Sequence, residues 1–304
     1  MSILIVGTVA FDAIETPFGK TEKIVGGAAT YIGLSASYFY SKLNLVSVVG
    51  DDFPSQAIKM LENHNVDTKG LQIKNGEKTF FWSGKYHNDM NSRDTLETQL
   101  NVLESFDPIV PDEYQNSEFL MLGNLMPSVQ KRVLEQMKKR PKLIVLDTMN
   151  FWMDHFLEDL LDALKEVDVL TINDEEARQL SGEYSLVKAA KAIQKMGPKY
   201  IVIKKGEHGA LLFKNEEVFF APALPLEEVF DPTGAGDSFA GGFIGYLAKT
   251  NDISFENMKR AVIYGSSMAS FCVEKFGTER LNNINEGDVK NRLQRFVNLS
   301  RFNI

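Results

Sequence analysis

Six short apolar runs constrain this chain more than any other feature. They fall at residues 3–6 (Ile-Leu-Ile-Val), 45–50, 119–123, 143–147, 169–172 and 201–203. A continuous apolar run of this length is the pattern of a strand buried on both faces, as in a parallel sheet. Segments with helical spacing follow several of them, at 53–63, 128–139 and 151–165. Strand–helix alternation of this kind builds βαβ units, so the expected fold is α/β with a mainly parallel central sheet. Two stretches break the pattern. Residues 14–25 read as a hairpin turning near Gly19, and residues 78–104 hold an aromatic extended run (Phe80, Phe81, Trp82, Tyr86), a polar turn at 87–92 and a second extended run. Together they predict a small sheet inserted into the α/β body.

Residues 231–243 carry the chemistry: Asp231-Pro232-Thr233-Gly234-Ala235-Gly236-Asp237, then Ser-Phe-Ala-Gly-Gly-Phe. Pro232 keeps Asp231 out of helix, and Phe239, Phe243 and Leu247 then mark one helical face. The product is a small-residue loop opening into a helix, where free N–H groups and the positive dipole end favour an anion. A carboxylate at Asp237 beside such a cradle suits proton acceptance rather than anion binding. The stretch therefore suggests phosphoryl transfer, with Asp237 taking the proton of an attacking hydroxyl. A glycine-rich turn with an acidic first helical turn is the plain structural alternative.

The formal net charge of −8 argues against a nucleic-acid partner and against an anionic membrane surface. No apolar run approaches the roughly 18 residues of a membrane span, and Met1–Gly7 lacks the basic region and cleavage site of a signal peptide. Cys272 is the sole cysteine, which excludes an intramolecular disulfide and points to a reducing cytoplasm. The four histidines lack metal-ligand spacing. Gly19-Lys20-Thr21 imitates the end of a P-loop, but the first glycine of that motif would fall at Ile14.

Residues 231–243 resemble, nearly residue for residue, the C-terminal motif of the ribokinase-like (PfkB) carbohydrate and nucleoside kinases, and further similarities run from residue 3 to about 278. The resemblance implies a single ribokinase-like domain over residues 1–304: a three-layer sandwich with a mainly parallel central sheet and a small β-sheet lid. The lid insertions would be at about 12–26 and 76–104. The expected activity is transfer of the γ-phosphoryl group of ATP, with Mg²⁺, to a sugar or nucleoside hydroxyl. Asp237 would be the base, and the N–H groups of Gly234, Ala235 and Gly236 the anion hole.

The same resemblance places substrate against Asp12, Gly26 and Gly27. Tyr31 stands where the family carries Asn, and Asn124 where it often carries Glu. These departures tilt the expectation toward a nucleoside or another hydroxylated ring. Asn173 and Glu176 match the family's Asn-x-x-Glu motif, in which Glu acts on Mg²⁺ through water; the same pair is also a capping box. Lys204, Gly206 and Gly209 resemble the segment lining the nucleotide, joined there by Thr233, and Ser266 and Ala269 lie on a helix expected to wall the adenine. Asp231 and Thr233 resemble positions near a monovalent-cation (K⁺) site, although residues 277–281 match that site poorly. The lid implies contacts at Trp82, Arg93 and Asn101 and a surface for homodimer formation. Two rivals remain. A dinucleotide-dependent dehydrogenase would need its third glycine at Phe239. A ligand sensor without turnover would have no use for an intact Asp237.

Overall fold

The computed structural model describes residues 1–301. Nine strands form one sheet, ordered Glu217–Ala221, Ala210–Lys214, Tyr200–Lys204, Val169–Asn173, Leu143–Asp147, Phe119–Leu122, Ile3–Val6, Leu43–Gly50 and Val66–Lys74. All neighbours are parallel except at the edge formed by Ala210–Lys214 and Glu217–Ala221. Alternate residues of each buried strand feed two cores. Ile3, Ile5, Phe119, Met121 and Val145 face the helices Ala28–Ser37, Ala235–Thr250 and Phe255–Cys272. Leu4, Val6, Leu120, Leu122 and Leu146 face Pro127–Gln136, Leu157–Leu164, Asp174–Ser181 and Leu186–Gln194. The result is the expected three-layer α/β sandwich. Because the central strands run parallel, their carboxyl ends open on one edge, where ligands bind in sheets of this kind.

A second sheet lies beyond that edge, ordered Gly19–Lys20, Ala10–Thr16, Phe81–Tyr86 and Arg93–Gln99, with Ile24–Gly26 also paired to Ala10–Thr16. Its two insertions join through a parallel pair running from Phe11 opposite Phe81 to Glu15 opposite Lys85. The strand begins at Ala10 rather than at 14, so Asp12 belongs to this sheet. All residues of Arg93–Gln99 are exposed.

Other departures from the sequence reading have local causes. The helix that follows Gly26 and Gly27 starts only at Ala28, because Gly27 sits at φ +92°, outside helical space. The segment 151–165 is two helices, Asn150–His155 and Leu157–Leu164, separated at Phe156 (φ −140°). The edge strand Val66–Lys74 was not anticipated, since four of its nine residues are charged or amide-bearing and dilute the apolar signal.

Candidate active site

The loop 231–237 is held from below. Asp231 is 1% exposed, and its two carboxylate oxygens accept the N–H groups of Thr233 (2.8 Å) and Gly277 (2.9 Å). The thiol of Cys272 donates to the Thr233 carbonyl at 3.3 Å. Gly234 has φ +75° and rests on the ring face of Tyr31: a β-carbon there would lie 2.5 Å from ring carbons. The chain then enters the helix Ala235–Thr250. The N–H of Ala235 donates to the Pro232 carbonyl (3.1 Å), so Ala235 is not one of the free donors expected of it. The N–H groups of Gly234 and Gly236 have no partner among the described residues, while the Asp237 N–H is turned onto its own carboxylate. Orphan donors at the start of a 16-residue helix are the physical basis of an anion site.

Charge gathers around this loop. The Lys204 ammonium lies against it, 3.0 Å from where a β-carbon of Gly236 would be, and pairs with Asp147 at 2.9 Å. Asn173 and Glu176 form the expected capping box, each side chain accepting the other's N–H at 2.8 Å. Burial pushes the Glu176 carboxyl up to about 7; Lys204 pulls against this and Asp147 adds to it. Asp237 is likewise pushed up to about 7, first by burial and then by Asp147, with Lys204 and Arg93 opposing. Lys204 is raised although burial works against its charge, because Asp147 and Glu176 surround it. Asp147 was visible in the sequence only as the acid closing a strand. It carries the same signal as Asp12, an acid at the ligand edge, but its partner Lys204 is 57 residues away.

On the side expected to hold substrate, Asp12, Gly26 and Gly27 do come together. The Asp12 carboxylate occupies the space a β-carbon on Gly26 would need. It is 5% exposed, and burial raises it to about 7, helped by Asp231 and Asp237 and opposed by the Gly27 amide. Asp231 and Asp237 therefore lie within electrostatic reach of Asp12. Tyr31 is 1% exposed with one ring face under Gly234, so the ring is the floor of the anion loop rather than an open platform. Its hydroxyl has no partner among the described residues. Asn124 accepts the Trp152 indole N–H at 2.7 Å, and its amide nitrogen meets the Met149 sulfur. Trp152, missed in the sequence, thus orients Asn124 at the strand end. Asn101 also departs from expectation: it lies in a left-handed turn and its amide binds the Thr79 carbonyl, a structural role.

Gly206 and Gly209 turn the loop after Tyr200–Lys204, and the Asn91 side chain rests on Gly206. Ser266 and Ala269 are partly exposed on Phe255–Cys272. The neighbouring Gly265 is needed for close packing, as a β-carbon there would meet the Phe239 carbonyl at 2.7 Å.

The donor sets decide which ions fit. No group of three or more His, Cys, Asp or Glu side chains poised for a metal occurs among the described residues. A hard divalent ion held mostly by phosphate and water oxygens, with Glu176 behind the water, is compatible with that arrangement. At the position of the K⁺ expectation, each Asp231 oxygen and the Thr233 carbonyl accepts one protein donor and keeps a second lone pair, which suits a monovalent cation.

The family described as pfkB family carbohydrate kinase matches residues 2–284. A cytidine kinase of Thermococcus kodakarensis is 31% identical over 250 residues, covering 80% of this chain and 87% of that protein. Among solved structures, the Methanocaldococcus jannaschii nucleoside kinase superposes with TM-score 0.77 at 21% identity, covering 97% of this chain and 99% of that one. Arabidopsis thaliana ribokinase complexed with ribose and ATP superposes with TM-score 0.76 at 20% identity, covering 96% and 98%.

Proposed function

The chain belongs to the pfkB family of carbohydrate kinases, phosphotransferases with an alcohol acceptor, and on that premise we propose that it is an ATP-dependent nucleoside kinase with Asp237 as general base. The observation that carries this reading is the loop itself. Two orphan N–H groups, those of Gly234 and Gly236, the Lys204 ammonium and the Asp237 carboxylate gather at one helix start. A carboxyl near 7 is matched to accepting a hydroxyl proton at neutral pH. The donors of Gly234 and Gly236 act on charge that develops on the transferred group, often the largest catalytic contribution. Asp12 is placed to accept hydrogen bonds from vicinal sugar hydroxyls. Lys204 and the Gly206–Gly209 loop line the donor phosphates, and Ser266 and Ala269 leave room for a flat base. Glu176 would hold, through water, a Mg²⁺ ion that would supply neutralising charge to the donor phosphates.

The nucleoside preference rests on the relatives' names and on the residues beside Asn124. Met149, Phe151 and Trp152 offer apolar and aromatic surface at the strand end, suited to a base. The small sheet would act as a lid that excludes water from the donor, and its exposed edge Arg93–Gln99 is the surface through which two copies would pair.

ADP formation from ATP and Mg²⁺ tests the reading, with cytidine and other nucleosides, pentoses and hexoses as acceptors. Turnover on a nucleoside is the expected result. Turnover confined to a free sugar would overturn the substrate class, and ATP binding without turnover on any acceptor would overturn the kinase.

A further inference from the structure

The Asn124 amide is held in one orientation. Asn124 stands past the carboxyl end of Phe119–Leu122, where Leu122 is paired with Val6 on one side and Leu146 on the other. It therefore lies between the segments leading to Asp12 and to Asp147. Its backbone is fixed through Gly123, which donates to the Val6 carbonyl at 2.7 Å and accepts from the Gln130 amide at 2.9 Å. The partner of the side chain decides which end of the amide is which. The Trp152 indole nitrogen can only donate, so the atom 2.7 Å from it is the amide oxygen. One amide hydrogen turns to the Met149 sulfur at 3.1 Å, and the other has no partner among the described residues. The indole is itself braced, against Phe151 with ring centroids 5.0 Å apart and against Phe156 at 5.7 Å. Asn124, Met149 and Trp152 are all partly exposed, so a ligand can reach them.

We infer that Trp152 is a positioning residue that locks Asn124 as a hydrogen-bond donor, and that the pair selects nucleosides whose base carries a bare ring nitrogen beside an exocyclic amino group. The inference rests on the nucleoside-kinase reading above. The free amide hydrogen of Asn124 needs an acceptor. The Met149 sulfur beside it is a weak acceptor that can face an amino hydrogen. A donor next to an acceptor complements the edge of cytidine or adenosine, where the ring nitrogen accepts and the amino group donates. Uridine and inosine carry the opposite edge. Their ring N–H would meet the Asn124 N–H, and their carbonyl would meet the sulfur. Two donors facing each other leave both without the hydrogen bonds they had in water. A freely turning amide would serve either edge, because its oxygen and nitrogen exchange places at no cost. The indole N–H removes that freedom, since the turned amide would set one N–H against another.

The test is kcat/KM of the wild type, Trp152→Phe and Asn124→Asp, with ATP and Mg²⁺, on two matched pairs: cytidine against uridine, and adenosine against inosine. The wild type is expected to favour the amino-bearing member of whichever pair it accepts by at least about tenfold, the scale of one mismatched hydrogen bond. Trp152→Phe keeps an aromatic ring and loses the indole N–H, so the ratio should fall to within about threefold. Asn124→Asp puts an acceptor where the donor was and should reverse the preference. A side chain that merely supports the fold would lower both members of a pair alike and leave the ratio unmoved. A wild-type ratio kept by Trp152→Phe would overturn the positioning role. Should that variant fail to fold, a preference that Asn124→Asp leaves in place would overturn the inference instead. A wild type that favours uridine or inosine, or that takes both members equally, would overturn it as well. A wild type that turns over no nucleoside overturns the reading beneath it.

Discussion

Two clusters of buried charge in this molecule are built on opposite plans. At Glu274 every charge has a partner. Arg292 donates to one carboxylate oxygen at 2.6 Å and Arg280 to the other at 2.9 Å. Arg292 also reaches Ser270 at 2.8 Å and lies over the Phe271 ring at 3.8 Å. Around Asp237, several carboxylates share one ammonium, and Asp12, Glu176 and Asp237 are all pushed up to about 7. A cluster that is complete by itself holds the fold together. One that is incomplete keeps groups in reserve for a ligand, and the folded chain carries the desolvation cost until the ligand arrives.

The contrast breaks down most visibly at Asp237. Asp237→Asn should cut turnover by about 10²-fold or more, the scale of general-base catalysis. The same change should raise thermal stability. A carboxyl raised from 3.8 to about 7 keeps in the folded state a proton that the unfolded chain has already released, so its contribution to stability is lost as pH rises from about 4 to 7. The melting temperature of Asp237→Asn relative to wild type should therefore climb over that window and level off above it. A variant less stable than wild type at pH 8 would show that the carboxylate is satisfied by the protein after all.

Glu274→Gln should behave in reverse. It leaves the 6%-exposed Arg292 short of its carboxylate and is expected to cost about 2 kcal/mol in denaturant unfolding, with kcat of the folded enzyme within twofold. The Glu274 side chain is 24% exposed, which holds the loss below that of a fully buried pair. A kcat that fell with stability would join the two clusters into one. The wild-type pH profile sharpens the comparison further: kcat/KM should rise with a midpoint near 7 and stay flat above it, since the base must be ionised. The smallest effect is expected at Gly236→Ala. Its β-carbon would meet only the flexible end of Lys204, at 3.0 Å, so a few-fold rise in the KM for ATP should be the whole cost.

Much of this was legible in the sequence. Short apolar runs announce buried parallel strands, because a strand covered on both faces has no polar alternation to hide it. Residues 231–237 announce an anion loop, since only small residues let backbone donors converge at a helix start. Asn173 and Glu176 sit three apart, so their mutual capping is local and readable. What escaped was contact between distant segments. Nothing near Lys204 names Asp147 as its partner, and nothing near Tyr31 shows that Gly234 will settle on its ring. The Ala235 donor was assigned to the anion hole because spacing cannot reveal that its N–H turns back to Pro232. The start of the strand holding Asp12 was misjudged because its pairing partner lies 70 residues on.

That last pairing bears on how such enzymes can be re-engineered. Residues 10–16 and 81–86 run side by side in the same direction, so no hairpin connects them and the whole first βαβ layer of the body lies between. Neither insertion is a cassette. Exchanging one for that of a relative would leave a ladder of hydrogen bonds without its counterpart, with the Asp12 carboxylate on one side and the Tyr86 and Arg93 side chains on the other. A change of acceptor specificity through this sheet therefore calls for both segments to be replaced together, as a matched pair.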